Sequence, residues 1–194
     1  MESIATAADY ADALLVARTA RNWVFTLLLV MLLAQMGLFF AYRYWHALPA
    51  DAPSVLHYAL GGCGFLAMVL IVLLSLDMLL ILHVMLVGRL IGVSHVTRAW
   101  LATVVLALLL FPWQAFLNNA DLTATEFRIP GVIFTWEELV KYARFPTGEF
   151  KVAVLRWARF VMFPVLAIVL LFVIQSRASR GLRLALGEEK PAVQ

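Results

Sequence analysis

Asp77 is the residue whose setting most calls for chemistry. It interrupts a run from Val55 to Val93 that is otherwise nearly all apolar. A carboxylate at membrane depth is costly, so it ordinarily faces protein or water and often marks a proton or ion path. A proton relay or cation site at Asp77 is therefore one expectation, and a neutral Asp77 hydrogen-bonded inside a bundle is another. The structural alternative is preferred. About twenty-one residues separate Leu56 from Asp77, enough to cross the hydrocarbon core and leave the carboxylate at the interface.

The four histidines are the other candidates. His46 and His57 flank one short connector, with Asp51 between them, and His83 and His95 follow Asp77. Facing histidines on neighbouring helices could ligate haem b or a metal, so a b-type cytochrome or quinone-site subunit using His46/His57 or His83/His95 is a minor alternative. A membrane haem takes its ligands from inside the helices, whereas His46 and His95 are expected outside them. On one continuous helix, Asp77 and His95 would share a face while His83 and Arg89 point elsewhere. That scatter argues against a simple proton wire. It suggests instead that protein covers this end of the helix on several sides.

No other catalytic pattern is present. There is no HExxH pair and no phosphate-binding glycine loop; the cluster Gly61-Gly62-Cys63-Gly64 lies inside an apolar run and fits close helix packing. Ala59, Cys63 and Ala67 recur every four residues and form a candidate packing stripe. As the sole cysteine, Cys63 allows neither an internal disulfide nor zinc spacing. The net charge of +3 comes from few groups, without the basic stripe of a nucleic-acid binder.

These residues are embedded in a chain of 194 residues that is 64% hydrophobic and 14% charged, well below the charge of a soluble domain. The apolar blocks predict an all-α integral membrane protein forming one membrane domain over 1–194, with four transmembrane helices. The spans are expected at about 23–42, 55–88, 99–117 and 152–176. Aromatic residues mark their ends, notably Trp23, Tyr42, Tyr44 and Trp45 around the first. The second block would measure about 58 Å as one helix, nearly twice the hydrocarbon core. With only Asp77 as a polar interruption, it reads as a single helix projecting beyond the membrane. Pro112 falls near the end of the third span, and Pro164 should kink the fourth, where Lys151, Arg156 and Arg159 snorkel at the mouth. The tail from Gly187 is expected to be disordered.

Two short helices complete the expected fold. Ile4, Ala8, Ala11, Leu14 and Leu15 recur at helical spacing and predict an amphipathic helix over 3–20. In the polar loop 118–149, Thr135-Trp136-Glu137-Glu138 forms a capping box before a helix of about 136–145. Trp136, Leu139, Val140 and Ala143 would give that helix a docking surface. Trp136-Glu137-Glu138-Leu139 resembles a local pattern in the small membrane subunit of tripartite substrate transporters. There it follows the first span and here the third, so no family is assigned.

The start of the chain, with Glu2, Asp9 and Asp12, lacks the basic region of a signal peptide. Positive charges are split nearly evenly between the two sides, but at the span ends Arg18 and Arg21 against Arg43, with the cluster Arg177, Arg180 and Arg183, favour cytoplasmic termini by the positive-inside rule. The modest loops fit a bacterial inner membrane. The function expected from this inventory is a non-enzymatic accessory or scaffold subunit of a membrane complex, with lipid and either other subunits or further copies of itself as partners. The rival expectation is a small proton-coupled transporter or channel using Asp77.

Overall fold

The computed structural model describes residues 2–44, 52–113, 131–142 and 150–189, and every regular element among them is a helix. These are α1 (Glu2–Tyr44), α2 (Ala52–Val87), α3 (Val93–Leu110), α4 (Trp136–Tyr142), α5 (Phe150–Trp157), a π-helical turn (Ala158–Met162) and α6 (Phe163–Ala185). Four helical stretches are long and apolar enough to cross a membrane: Ala8–Tyr44, Val55–Val87, Val93–Leu110 and Ala158–Ala185. The chain is a multi-pass membrane protein by that measure.

Several boundaries differ from the sequence expectation, each for a local reason. The amphipathic helix expected over 3–20 is not a separate element; it is the first half of α1. No proline or glycine occurs between Ile4 and Met36, so nothing there interrupts the backbone ladder. α2 is one long helix, about 54 Å from end to end. It stops at Val87 in a Schellman-type closure, in which Leu90 N–H donates to Met85 O at 2.9 Å and Arg89 takes a left-handed φ of 49°. His95 therefore lies on α3 and shares no helix face with Asp77.

α3 begins and ends earlier than the span expected at 99–117. Gly92, at φ 97°, turns the chain into it, and Phe111 is extended at ψ 135° because Pro112 follows. α6 runs on to Ala185, past the expected end at 176, and carries Arg177, Arg180 and Arg183 as helix. At Pro164, where a kink is expected, a π-helical turn directly precedes the proline. Phe163 N–H donates to Ala158 O, five residues back, and Pro164 itself has no N–H to donate. The expectation of disorder from Gly187 is also revised, because Glu188 and Glu189 are folded back against Arg18 and Arg180. The last five residues lie outside the described ones.

α1, α2, α3 and α6 form an up-down-up-down bundle in which α1 packs on α2 and α6, and α3 packs on α2 and α6. The buried positions repeat in steps of three and four along every helix. On α2 they are Ala67, Ile71, Leu74, Met78, Ile81 and Met85; on α3 they are Val96, Ala99, Thr103, Leu106 and Leu110. α1 buries Leu14, Ala17, Arg21, Leu28, Leu32, Gln35 and Phe39, and α6 buries Ala167, Leu171, Ile174, Ala178 and Leu182. A period of 3.5 keeps one seam facing the partner helices, as in left-handed coiled-coil packing. Outward positions such as Val30, Leu33, Val69, Val72, Leu76, Val105 and Val169 are equally apolar but exposed, as lipid-facing residues are.

α3 and α6 cross closely at a pair of glycines. A Cβ on Gly181 would lie 2.6 Å from Val96 Cγ2 and 3.1 Å from Gly92 O. A Cβ on Gly92 would lie 2.6 Å from Gly181 O. Neither position has room for a side chain, so the crossing distance is set by these two residues.

Candidate functional site

Among the described residues, the seams carry four fully buried polar side chains, Arg21, Gln35, Thr103 and Arg159. Thr103 satisfies its hydroxyl on its own helix by donating to Ala99 O at 2.9 Å. The other three belong to two polar layers near opposite ends of the bundle.

The first layer joins α1, α2 and α6. Arg21 occupies a seam position, 1% exposed, and its Nη2 donates to Asn22 Oδ1 and to Ser179 Oγ, both at 3.0 Å. Gln175 Nε2 donates to the same Asn22 oxygen at 2.9 Å. Asp77, half-buried on α2, attracts the Arg21 guanidinium without forming a direct ion pair among the described residues. Arg21 Nε and Nη1, Asp77 Oδ2 and Gln175 Oε1 are all buried and have no hydrogen-bond partner among the described residues. One turn further out, Arg18 makes a forked contact with Glu188, at 2.9 and 3.1 Å, which ties the end of α6 to α1.

The second layer is an ion-pair clamp. Arg159 comes from the π-helical turn, whose wider winding turns Arg159 and Phe160 both inward. Its Nε donates to Glu138 Oε1 at 2.8 Å, and its Nη2 donates to Ile133 O at 2.9 Å. Val132 N–H donates to Leu109 O at 3.1 Å. The non-helical segment Gly131–Thr135 is thereby held into the bundle mouth, with Val132 and Phe134 buried and Ile133 packed on Gly64. Irregular backbone at such depth needs protein around it. Gln35 borders Gly64 as well, its Nε2 3.5 Å from where a Cβ would lie, and it is fully buried with neither amide atom partnered among the described residues.

Between the layers lies an apolar plug. Arg21 and Gln35 are fourteen residues apart on α1, about 21 Å at 1.5 Å per residue. Leu28, Leu32, Ile71, Leu74, Leu106, Leu171 and Ile174 fill that interval, all buried.

The residues singled out from sequence are dispersed. His83 is exposed, His95 sits half-buried in the first turn of α3, and His57 is exposed with its ring 6.3 Å from that of Trp136. His46 lies outside the described residues, and no group of three metal-ligating side chains occurs among those described. Of the packing stripe, Ala67 is buried, Cys63 half-buried and Ala59 exposed. The four-residue spacing drifts off a 3.5-residue seam, and Gly64 makes the closest approach instead.

The capping box is half realised: Glu138 N–H donates to Thr135 Oγ1 at 3.3 Å, but the Glu138 carboxylate is turned to Arg159. The docking surface expected on α4 is largely used within the chain. Leu139 is buried in a cluster with Phe39, Leu60, Phe134 and Phe160, and Trp136 packs edge-on against Tyr42. Val140 is exposed, and Ala143 lies outside the described residues. Arg159 does not snorkel, because Glu138 neutralises it in place. Arg21, Gln35 and Arg159 were the residues sequence reasoning missed. Apolar residues line both faces of these helices, so spacing alone leaves the seam unmarked. No protein-family model, curated protein or solved structure matches this chain.

Proposed function

We propose that this chain is a non-enzymatic accessory or scaffold subunit of a membrane protein complex. The observation that carries this reading is an uncovered apolar face beyond the Arg21 layer. α2 continues ten residues past Asp77; there Met78, Ile81 and Met85 are buried by the chain itself, with Leu14 and Ala17 of α1 in the same core. Leu79, Leu80, Leu86, Val87 and Ile91 remain about half exposed, as does Leu15 of α1, and Val16 is more exposed still. Apolar groups gathered at the projecting end of a bundle are ordinarily covered by a partner.

The rival transporter or channel reading would use Asp77 and its unpartnered buried oxygen. The mainly apolar interval between the two polar layers weighs against it, since its buried Thr103 hydroxyl is spent on Ala99 O and a proton or ion path needs polar or hydrated steps. A photocrosslinking residue at Leu80 or Leu86 separates the two readings. In cells it is expected to capture one discrete polypeptide, a different subunit or a second copy. Crosslinks to lipid alone, together with liposome flux abolished by Asp77→Asn, would replace the scaffold reading with the transporter.

A further inference from the structure

We infer that the Arg21 layer is a binding site for a neutral hydroxyl group, which bridges the Arg21 guanidinium to the Asp77 carboxylate. The unpartnered atoms decide the chemistry. Arg21 Nε and Nη1 can only donate, while Asp77 Oδ2 and Gln175 Oε1 can accept. A group that satisfies both sets must accept from the guanidinium and donate to the carboxylate, which a hydroxyl does. A free anion would meet the Asp77 charge and a cation the Arg21 charge, so neither suits a site whose own charges cancel.

Burial makes the demand strong. Arg21 is 1% exposed, and a buried donor without a partner costs about 1–3 kcal/mol, more for a charged group. Nη2 is already fixed by Asn22 and Ser179, and Gln175 is fixed by Asn22, so the open atoms are held in place. Asn22 is itself exposed at the bundle surface, on the seam between α1 and α6. That gives the site an approach from outside the bundle. The hydroxyl can come from water or from the glycerol headgroup of a lipid.

Met78, adjacent to Asp77 and fully buried, is a built-in reporter, and Met85, fully buried two turns on, is its control. X-ray radiolysis of a bound water releases hydroxyl radical that oxidises neighbouring methionine whatever its exposure to bulk solvent, whereas a lipid hydroxyl in its place displaces that source. In phosphatidylcholine nanodiscs, Met78 is expected to be oxidised well above Met85. That excess should vanish in the Arg21→Leu/Asp77→Leu variant, which removes both charges together. Equal Met78 oxidation in phosphatidylglycerol nanodiscs assigns the hydroxyl to water. Reduced oxidation there, with phosphatidylglycerol retained in native mass spectrometry by the wild type and not by the variant, assigns it to the lipid. Met78 oxidised no more than Met85 in the wild type, with no lipid retention, overturns the site. An excess that survives the double substitution also overturns it.

Discussion

At the scale of single residues, the decisive groups are charges that the fold has drawn into its seams. Arg159 and Glu138 are 3% and 13% exposed at the side chain, so each neutralises the other in a largely dry setting. Removing one partner strands the other. Arg159→Met is expected to destabilise the folded protein by roughly 2–4 kcal/mol. The double variant Arg159→Met/Glu138→Leu should recover most of that loss, because replacing both partners with apolar groups is often close to neutral. Chemical unfolding in detergent micelles measures both; a double variant as unstable as the single would mean that the clamp contributes more than mutual neutralisation. The Thr135 hydroxyl is a smaller matter. Thr135→Ala should cost about 1 kcal/mol of local stability, read as faster hydrogen exchange across Trp136–Tyr142.

At the scale of elements, backbone geometry sets where helices stop and how closely they cross. Gly181→Ala forces a Cβ towards Val96 and the Gly92 carbonyl, and the backbone oxygen cannot move without shifting α3. A loss of about 1–3 kcal/mol is expected by overpacking. Gly37→Ala is the control, since nothing lies within 4 Å of its added Cβ; the better helix propensity of alanine should leave stability unchanged or raised by up to about 1 kcal/mol. If the two variants melt alike, the α3–α6 crossing is not limited by Gly181. Arg89 offers a test of opposite sign. It sits at φ 49° in the position where helices most often place glycine. Arg89→Gly should raise the melting temperature, by relief of roughly 1 kcal/mol of left-handed strain.

At the scale of the whole molecule, the bundle has two chemically different ends. One carries Arg18, Arg98, Arg177, Arg180 and Arg183 around the Arg21 layer; the other carries Tyr42, Tyr44, Tyr58 and Trp136. On the positive-inside rule, we propose that the arginine end faces the cytoplasm. A reporter fused after Gln194 is therefore expected in the cytoplasm, and one inserted near Thr125 on the opposite side. Both reporters on one side would remove the four-span model, which has a single span, Ala158–Ala185, between them. The projecting end has its own signature. In a Cys63→Ser background, cysteines at Ile81 and Met85 should resist aqueous thiol reagents, as the chain buries them itself. Under the scaffold proposal, cysteines at Leu80 and Leu86 should become protected only when a partner subunit is present.

What the sequence determined by itself was the helical class, the number of spans and the length of α2. Those depend on runs of apolar residues long enough for a bilayer, and hydropathy reads them directly. Helix facing was a tertiary decision. Lipid and protein interior are both apolar, so leucine and valine occur on both sides of each helix and carry no facing signal. Only the packed bundle shows that Arg21, Gln35 and Arg159 fall on the three-and-four seam while Ala59 and His83 fall outside it. The same holds for the partners of the charges. Arg159 and Glu138 are twenty-one residues apart in the chain and Arg21 and Ser179 are 158 apart, and no local pattern pairs them. The cost of a buried charge demands a partner, but antiparallel packing of distant helices decides which one it finds.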